Sequence, residues 1–287
     1  MTDSLIAGRY RVLQRLGAGA SGEVYLVEHT QLGRQEALKI VADDRTDPTV
    51  AGRFRREVRA SQRLAHPGIV APYDFGQLPD GRWYLTMEAV SGPPLDALLH
   101  QRGPLPIALA LGIVAEVADA LHHAHQHDVV HRDIKPHNLI LAPHERGHQV
   151  KVLDFGMAKI LDPSVQESVM LSRGGVPHGT PQYMAPEQCR SQPPDGRTDL
   201  YALGCVLHEL LVGEPPFRGK PLDLLVAHLS QPPRPPSQVD PGAGISPELD
   251  AVVARCLAKD RTHRFATGAD LCAAVQGVPG YRPLRVF

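Results

Sequence analysis

Apolar positions in residues 9–41 recur in short, strand-like runs. Tyr10, Val12 and Leu13 precede a glycine-rich turn, and residues 23–27 and 36–41 form two further runs rich in β-formers. Asp47-Pro48 then opens a helix, with Asp as N-cap and Pro at the first helical position. Phe54, Val58 and Leu64 lie among charges along that helix, which ends near His66-Pro67-Gly68. Strands follow over residues 69–75 and 82–88, split by the turn Pro79-Asp80-Gly81. After Ser91-Gly92-Pro93-Pro94 the pattern becomes helical. Residues 109–124, 199–212 and 247–258 read as helices, with short strands over 139–141 and 150–153. The change near residue 91 separates a β-rich lobe from a helix-rich one, and no repeat period appears. Residues 231–244, with Pro232-Pro233-Arg234-Pro235-Pro236, read as a solvated polyproline II connector rather than an SH3-type ligand.

Composition narrows the class without naming a chemistry. With 287 residues, 43% of them hydrophobic and 21% charged, the chain has the make-up of a soluble globular protein able to build its own core. Thirty basic against 31 acidic residues leave a formal charge of -1, which argues against a general nucleic-acid or membrane-surface binder. Cys189, Cys205, Cys256 and Cys272 are far apart and form no CxxC pair, so a disulfide scaffold or four-cysteine zinc site is excluded and a cytoplasmic location expected. Residues 1–9 do not form a signal peptide. The most apolar run, residues 105–115, meets Glu116 and Asp119 before reaching the ~18 apolar residues of a membrane span.

Chemistry enters with Gly17-Ala18-Gly19-Ala20-Ser21-Gly22-Glu23-Val24, a G-x-G-x-x-G-x-V pattern. A dinucleotide fingerprint would open a helix after the third glycine. Here residues 24–27 continue as a strand, so the turn is a β-hairpin lid whose backbone N–H groups can approach phosphate oxygens. Lys39, flanked by Leu38 and Ile40, needs anionic partners at that depth; phosphates would be one and Glu57 another. In His131-Arg132-Asp133-Ile134-Lys135-Pro136-His137-Asn138, an Asp and an Asn five apart offer a base and a metal ligand to one cleft. Asp154-Phe155-Gly156 adds a carboxylate suited to Mg²⁺ held together with substrate phosphates.

With these residues in this order, the chain resembles the bacterial eukaryotic-like (Hanks-type) serine/threonine protein kinases over residues 8–275, including Ala185-Pro186-Glu187, Asp199 and Arg264. The resemblance implies a bilobal α+β fold: an N-lobe over 8–90, a C-lobe over 91–275 and a tail over 276–287. It implies transfer of the ATP γ-phosphate to protein Ser/Thr hydroxyls in bacterial signalling. Lys39 would hold the α- and β-phosphates and pair with Glu57 in the active state. Asp133 would take the acceptor proton, Lys135 would face the transferring phosphate, and Asn138 and Asp154 would hold Mg²⁺, with Mn²⁺ as an alternative. Leu16, Gly17, Gly19 and Gly22 would cover the nucleotide, and Val24, Ala37 and Ile140 would sandwich adenine. Met87 would be the gatekeeper and Glu88 to Val90 the hinge. Residues 179–184 would receive the protein substrate, Asp199 would brace the catalytic loop, and Arg264 would pair with Glu187.

Some positions depart from the family pattern. Asp128 stands where a glycine is usual, Ser61 where an apolar residue normally stacks behind Phe155, and residues 143–148 lengthen a hairpin. His122, His123, His125, His127 and His131 resemble a metal cluster but lack the acidic partner of the zinc-protease pattern. Arg53, Arg55, Arg56 and Arg59 read as a solvated helix face, not a nucleic-acid stripe. A small-molecule phosphotransferase and a non-catalytic pseudokinase remain as alternatives, opposed respectively by residues 179–187 and by the complete Lys39, Asp133, Asn138 and Asp154 set. Ser164, Ser168, Ser172 and Thr180 lie between Asp154 and Glu187. Ser172 is expected to be autophosphorylated in trans within a transient homodimer, with Arg132 receiving the phosphate and Thr180 structural.

Overall fold

The computed structural model describes residues 5–19, 22–41, 48–155 and 181–284. Strands β1 (Tyr10–Gly19), β2 (Gly22–His29), β3 (Arg34–Val41), β4 (Pro72–Gln77) and β5 (Trp83–Glu88) form one antiparallel sheet in the order β1-β2-β3-β5-β4. Alternation along β3 gives the sheet two buried faces. Leu38 and Ile40 pack with Tyr10, Val27 and Tyr84 on one side. Ala37 and Val41 share the other with Leu85, Met87 and, from helix α1 (Pro48–Ser61), Phe54 and Val58. Helix α1 starts at the proline, as its N-terminal signal predicts. It buries Phe54, Val58 and Ser61, a one-sided i, i+4, i+7 stripe, while Arg55, Arg56 and Arg59 are exposed. These arginines form the solvated face expected of them; the Arg53 side chain lies outside the described residues.

The second lobe is built around α3 (Ile107–Gln126), which follows α2 (Leu95–Arg102). By length and composition α3 could cross a membrane, a property that reading residues 105–115 alone did not reveal. From Ala110 to Ala124 its alanines and leucines are instead buried in the core. A two-stranded sheet of β6 (Leu139–His144) and β7 (Gly147–Val152) runs three residues further into the hairpin than expected, with Pro143 opposite His148. Short α4 (Pro186–Cys189) leads to α5 (Gly196–Val212), then α6 (Pro221–Ser230), α7 (Pro236–Val239), α8 (Pro247–Cys256) and α9 (Gly268–Gln276). Helix α5 begins before the predicted residue 199 because Asp195 caps the Arg197 N–H and Thr198 answers the Asp195 N–H, a reciprocal pair hidden by the intervening glycine. Residues 276–284, expected as a tail, add Val278 and Leu284 to the core, with Leu284 seated against Gly112.

The lobes meet at β7. Val152 donates to the Gly68 carbonyl and accepts from the Val70 amide, which clips the segment after α1 onto the lower lobe. Across the hinge, Leu141 donates to Pro93. Lys39 on β3 meets Asp154, two residues past β7, so the face of the sheet bearing Lys39 lies against the end of β7.

Candidate active site

The loop from His131 to Asn138 is shaped by a buried carboxylate. Asp199, 1% exposed at the start of α5, accepts from the His131 and Arg132 amides at 2.8 and 2.7 Å and meets His125 Nε2 at 2.8 Å. Burial by itself would raise its pKa; the hydrogen bond and charge of His125, with the Arg132 amide, outweigh that and hold it below the ordinary carboxylate value. Both amides can point one way because Arg132 adopts φ 70°, an uncommon conformation for a side-chain-bearing residue. Asp128, at φ 59°, takes the left-handed turn expected of it in place of glycine. His131 is a neutral imidazole by its partners: Nδ1 accepts the Asp133 amide, so Nε2 carries the proton and donates to the Leu153 carbonyl at 2.7 Å. Its ring meets Phe155 edge-on at 4.8 Å.

This scaffold presents Asp133 at the cleft. Its Oδ2 lies 2.6 Å from Lys135 Nζ and 3.1 Å from Asn138 Nδ2, and the Asn138 amide also donates to the Asp133 carbonyl. That orientation turns Asn138 Oδ1 away from Asp133, so Oδ1 is the atom that would meet a metal ion. Opposite, Asp154 sits at φ 60° with Oδ2 2.6 Å from Lys39 Nζ. Burial raises the Asp154 pKa, but the charge and hydrogen bond of Lys39, with the charge of Lys135 beyond, overcome this and leave it below the ordinary carboxylate value.

The expected Lys39–Glu57 pair is not formed. The Lys39 ammonium is 3% exposed and takes Asp154, while Glu57 on α1 is engaged elsewhere. A compact ammonium satisfies its nearest carboxylate, and Asp154 is held beside it from below. Ser61 contributes to that hold. Its hydroxyl, 1% exposed, donates to the Phe155 carbonyl at 2.8 Å, so α1 is tied to the residue after Asp154 by a hydrogen bond where the family stacks an apolar side chain.

Above these groups, Ala37 and Met87 are cross-strand partners and both buried, with Val24, Val90 and Ile140 half-buried around them and Leu16 exposed at the rim. Gly17 and Gly19 face open space: a Cβ at either would meet no protein atom within 4 Å. Gly22 adopts φ 130°, a conformation open to glycine. A phosphate-bearing nucleotide fits this arrangement. An all-oxygen pair, ionised Asp154 with Asn138 Oδ1, is the donor set a hard cation such as Mg²⁺ prefers when phosphates supply further oxygens.

On the acceptor side, Glu187 pairs bidentately with Arg264 at 2.8 and 2.9 Å and accepts from Thr198, all three buried. Gln188 donates to the Arg132 carbonyl and accepts the Ala185 amide, and Tyr183 donates to Glu209 at 2.6 Å. The Arg132 Nε is buried without a hydrogen-bond partner. Gly156, Ser164, Ser168, Ser172, Gly179 and Thr180 lie outside the described residues.

Sequence reasoning missed the roles of His125, Gln188 and Lys151. The last reaches Glu88 with both carboxylate oxygens at 2.8 and 3.0 Å. For His125, Asp199 as the bracing carboxylate was the available signal, since a buried acid needs donors. The other histidines do not converge on a metal. His66, His123 and His127 stack at 5.3 and 4.6 Å, and no metal-holding group of three or more His, Cys, Asp or Glu occurs among the described residues.

Comparison with known proteins agrees in extent and order. Residues 10–275 match the protein kinase domain family. The serine/threonine-protein kinase PknB of Mycolicibacterium smegmatis is 40% identical over 277 residues, covering 95% of this chain and 43% of that protein. PknB of Mycobacterium tuberculosis is 39% identical over 287 residues, 98% of this chain and 45% of the relative. Myxococcus xanthus pkn3 is 38% identical over 280 residues, covering 95% and 50%. The chain thus spans half or less of the length of these relatives. Among solved structures, the Mycobacterium tuberculosis PknI kinase domain is similar with a TM-score of 0.75 and 31% identity, covering 96% of this chain and 98% of that one.

Proposed function

The chain belongs to the protein kinase domain family, among the bacterial Hanks-type serine/threonine kinases, and on that premise we propose that it transfers the γ-phosphate of ATP to Ser and Thr hydroxyls of proteins. The carrying observation is the Asp133 carboxylate, fixed by Lys135 and Asn138 in a loop hung from Asp199, with the Lys39–Asp154 pair close enough for the Lys135 charge to act on Asp154.

Asp133 is placed to accept the acceptor hydroxyl's proton as the oxygen attacks. Lys135, sharing that carboxylate, sets a positive charge where the transferring phosphoryl group passes. Lys39 holds the nucleotide phosphates. Asp154 and Asn138 would hold Mg²⁺, which would supply positive charge to the phosphate oxygens. Ala37, Val24, Met87 and Ile140 enclose adenine, with the backbone of Glu88 to Val90 beside it.

Ser172 is the proposed regulatory phosphosite, modified in trans between two copies, with Arg132 as its receiver. The buried, unpartnered Arg132 Nε supports this, since an orphan donor there matches the acceptor-rich phosphate. Thr180 is assigned to the acceptor side. The two lobes are assigned to residues 8–90 and 91–275. A cytoplasmic setting suits the four free cysteines.

Incubation with radiolabelled ATP, Mg²⁺ and a generic protein acceptor tests the proposal. Label should appear on phosphoserine and phosphothreonine with wild-type protein and vanish with Asp133→Asn. Nucleotide binding without transfer would instead favour a scaffold, and predominant phosphotyrosine would overturn the acceptor assignment. Mass spectrometry of the same samples should find phosphate at Ser172 only when Asp133 is intact.

A further inference from the structure

Two consecutive residues of β7 join the lobes. Val152 grips the segment after α1 through its backbone, donating to Gly68 and accepting from Val70. Lys151, on the opposite face of the strand, reaches Glu88 at the end of β5, with Nζ 2.8 and 3.0 Å from the two carboxylate oxygens. The Lys151 side chain is 16% exposed and Glu88 39%, so this charge-assisted pair is partly shielded from water. Its position is specific. Lys151 is the cross-strand partner of Ile140, beneath the proposed adenine site, and Glu88 begins the hinge beside the same site.

Glu88 also lies directly opposite Glu36 across β3 and β5. Like charges at facing positions repel. Arg34 neutralises Glu36 at 2.7 Å, leaving Lys151 as the cation for Glu88. Without Lys151, the end of β5 would carry an uncompensated carboxylate beside Glu36 and lose its side-chain tie to β7.

We propose that Lys151 is a positioning residue that clamps the hinge through Glu88 and so holds the adenine-facing backbone of residues 88–90 in register with the floor formed by Ile140. This rests on the kinase reading of the cleft, because it concerns how ATP is seated there. Lys151 itself touches neither nucleotide nor acceptor. Removing the clamp should therefore weaken nucleotide binding without altering the chemical step.

The test compares wild type with Lys151→Met, Lys151→Arg and Glu88→Gln in the full chain. Lys151→Met should raise the KM for ATP about twofold to fivefold, with kcat and the KM for the protein acceptor within about twofold of wild type. Titration calorimetry with a non-hydrolysable ATP analogue should show the same loss. Glu88→Gln should raise the KM for ATP at least as much as Lys151→Met, the double variant should raise it no further than the worse single one, and Lys151→Arg should restore most of the affinity. An unchanged ATP KM in Lys151→Met, a fall in kcat alone, or a loss not rescued by arginine would overturn the proposal. Inactive wild-type protein would count against the kinase reading; active wild type with an indifferent Lys151→Met counts only against the clamp.

Discussion

Asp133 keeps its carboxylate between a lysine and an amide donor, and Lys39 keeps its ammonium on a single carboxylate, so each can be removed with little packing loss. Asp133→Asn should lower kcat by ~10²–10⁴-fold, the usual worth of a positioned base. Lys39→Met should lower it by ~10²–10³-fold, because a preorganised charge at the phosphates is lost. Asp133→Asn should unfold at the wild-type urea concentration, whereas Lys39→Met leaves the largely buried Asp154 carboxylate without its counter-charge and should unfold at a lower one. Ser61 behaves differently. Its hydroxyl satisfies the Phe155 carbonyl inside a closed contact, so Ser61→Ala leaves a buried acceptor without its donor and should cost about 1–3 kcal/mol in a urea titration. Ser61→Ala should also loosen the position of Asp154 next to Lys39, which a higher Mg²⁺ requirement would reveal.

Helix α5 is the element on which the lower lobe is assembled, carrying Asp199 toward the catalytic loop and Gly204 toward α8. An alanine Cβ at Gly204 would lie 2.4 Å from the Cys256 Cβ, closer than side-chain carbons ever pack. Helix propensity favours alanine over glycine by about 1 kcal/mol, yet parting α5 from α8 costs about 1–3 kcal/mol and more when backbone must move. The clash wins. Gly204→Ala should lower Tm by several degrees, and Cys256→Gly should be less harmful in that background than in wild type, a coupling readable from a double-mutant cycle. Gly268 plays the same part between α9 and α3, where a Cβ would fall 2.3 Å from the Ala118 carbonyl.

Across the whole molecule, acid sensitivity should begin with buried histidine. His228 is fully buried between Tyr201 and Phe217, and burial, then the charge of Lys259, pulls its pKa down to about 4. The unfolded chain, near 6.5, binds the proton more readily, so stability is level above pH 7 and falls as pH drops from 6.5 toward 4. At pH 5 the loss should be roughly 2 kcal/mol from this group. His123 and His208, also lowered by burial, add in the same direction. Asp154, Glu187 and Asp199 have lowered pKa values, so their contribution persists above the unfolded carboxylate values, near 4, and is lost only below them. Urea titrations at pH 7 and pH 5 should therefore differ for wild type and differ less for His228→Gln. If the loss instead begins below pH 4.5, carboxylates rather than imidazoles govern it.

The amino-acid sequence by itself determined the two-lobe order and the make-up of the candidate site. The reason is locality: Asp133, Lys135 and Asn138 share one short loop, and the glycine turn, Lys39 and Asp154 sit on elements whose period and punctuation are visible within a dozen residues. It also carried the start of α1 and the left-handed turn at Asp128, which follow from backbone preferences. Only the tertiary structure decided partners. Lys39 takes Asp154 rather than Glu57, His125 serves Asp199 rather than a metal, Ser61 bonds Phe155, and Lys151 spans the hinge to Glu88. Each choice joins residues far apart in the chain. Hydrogen bonds and ion pairs depend on separations of a few tenths of an ångström, and those separations are set by how helices and sheets pack, not by spacing along the chain.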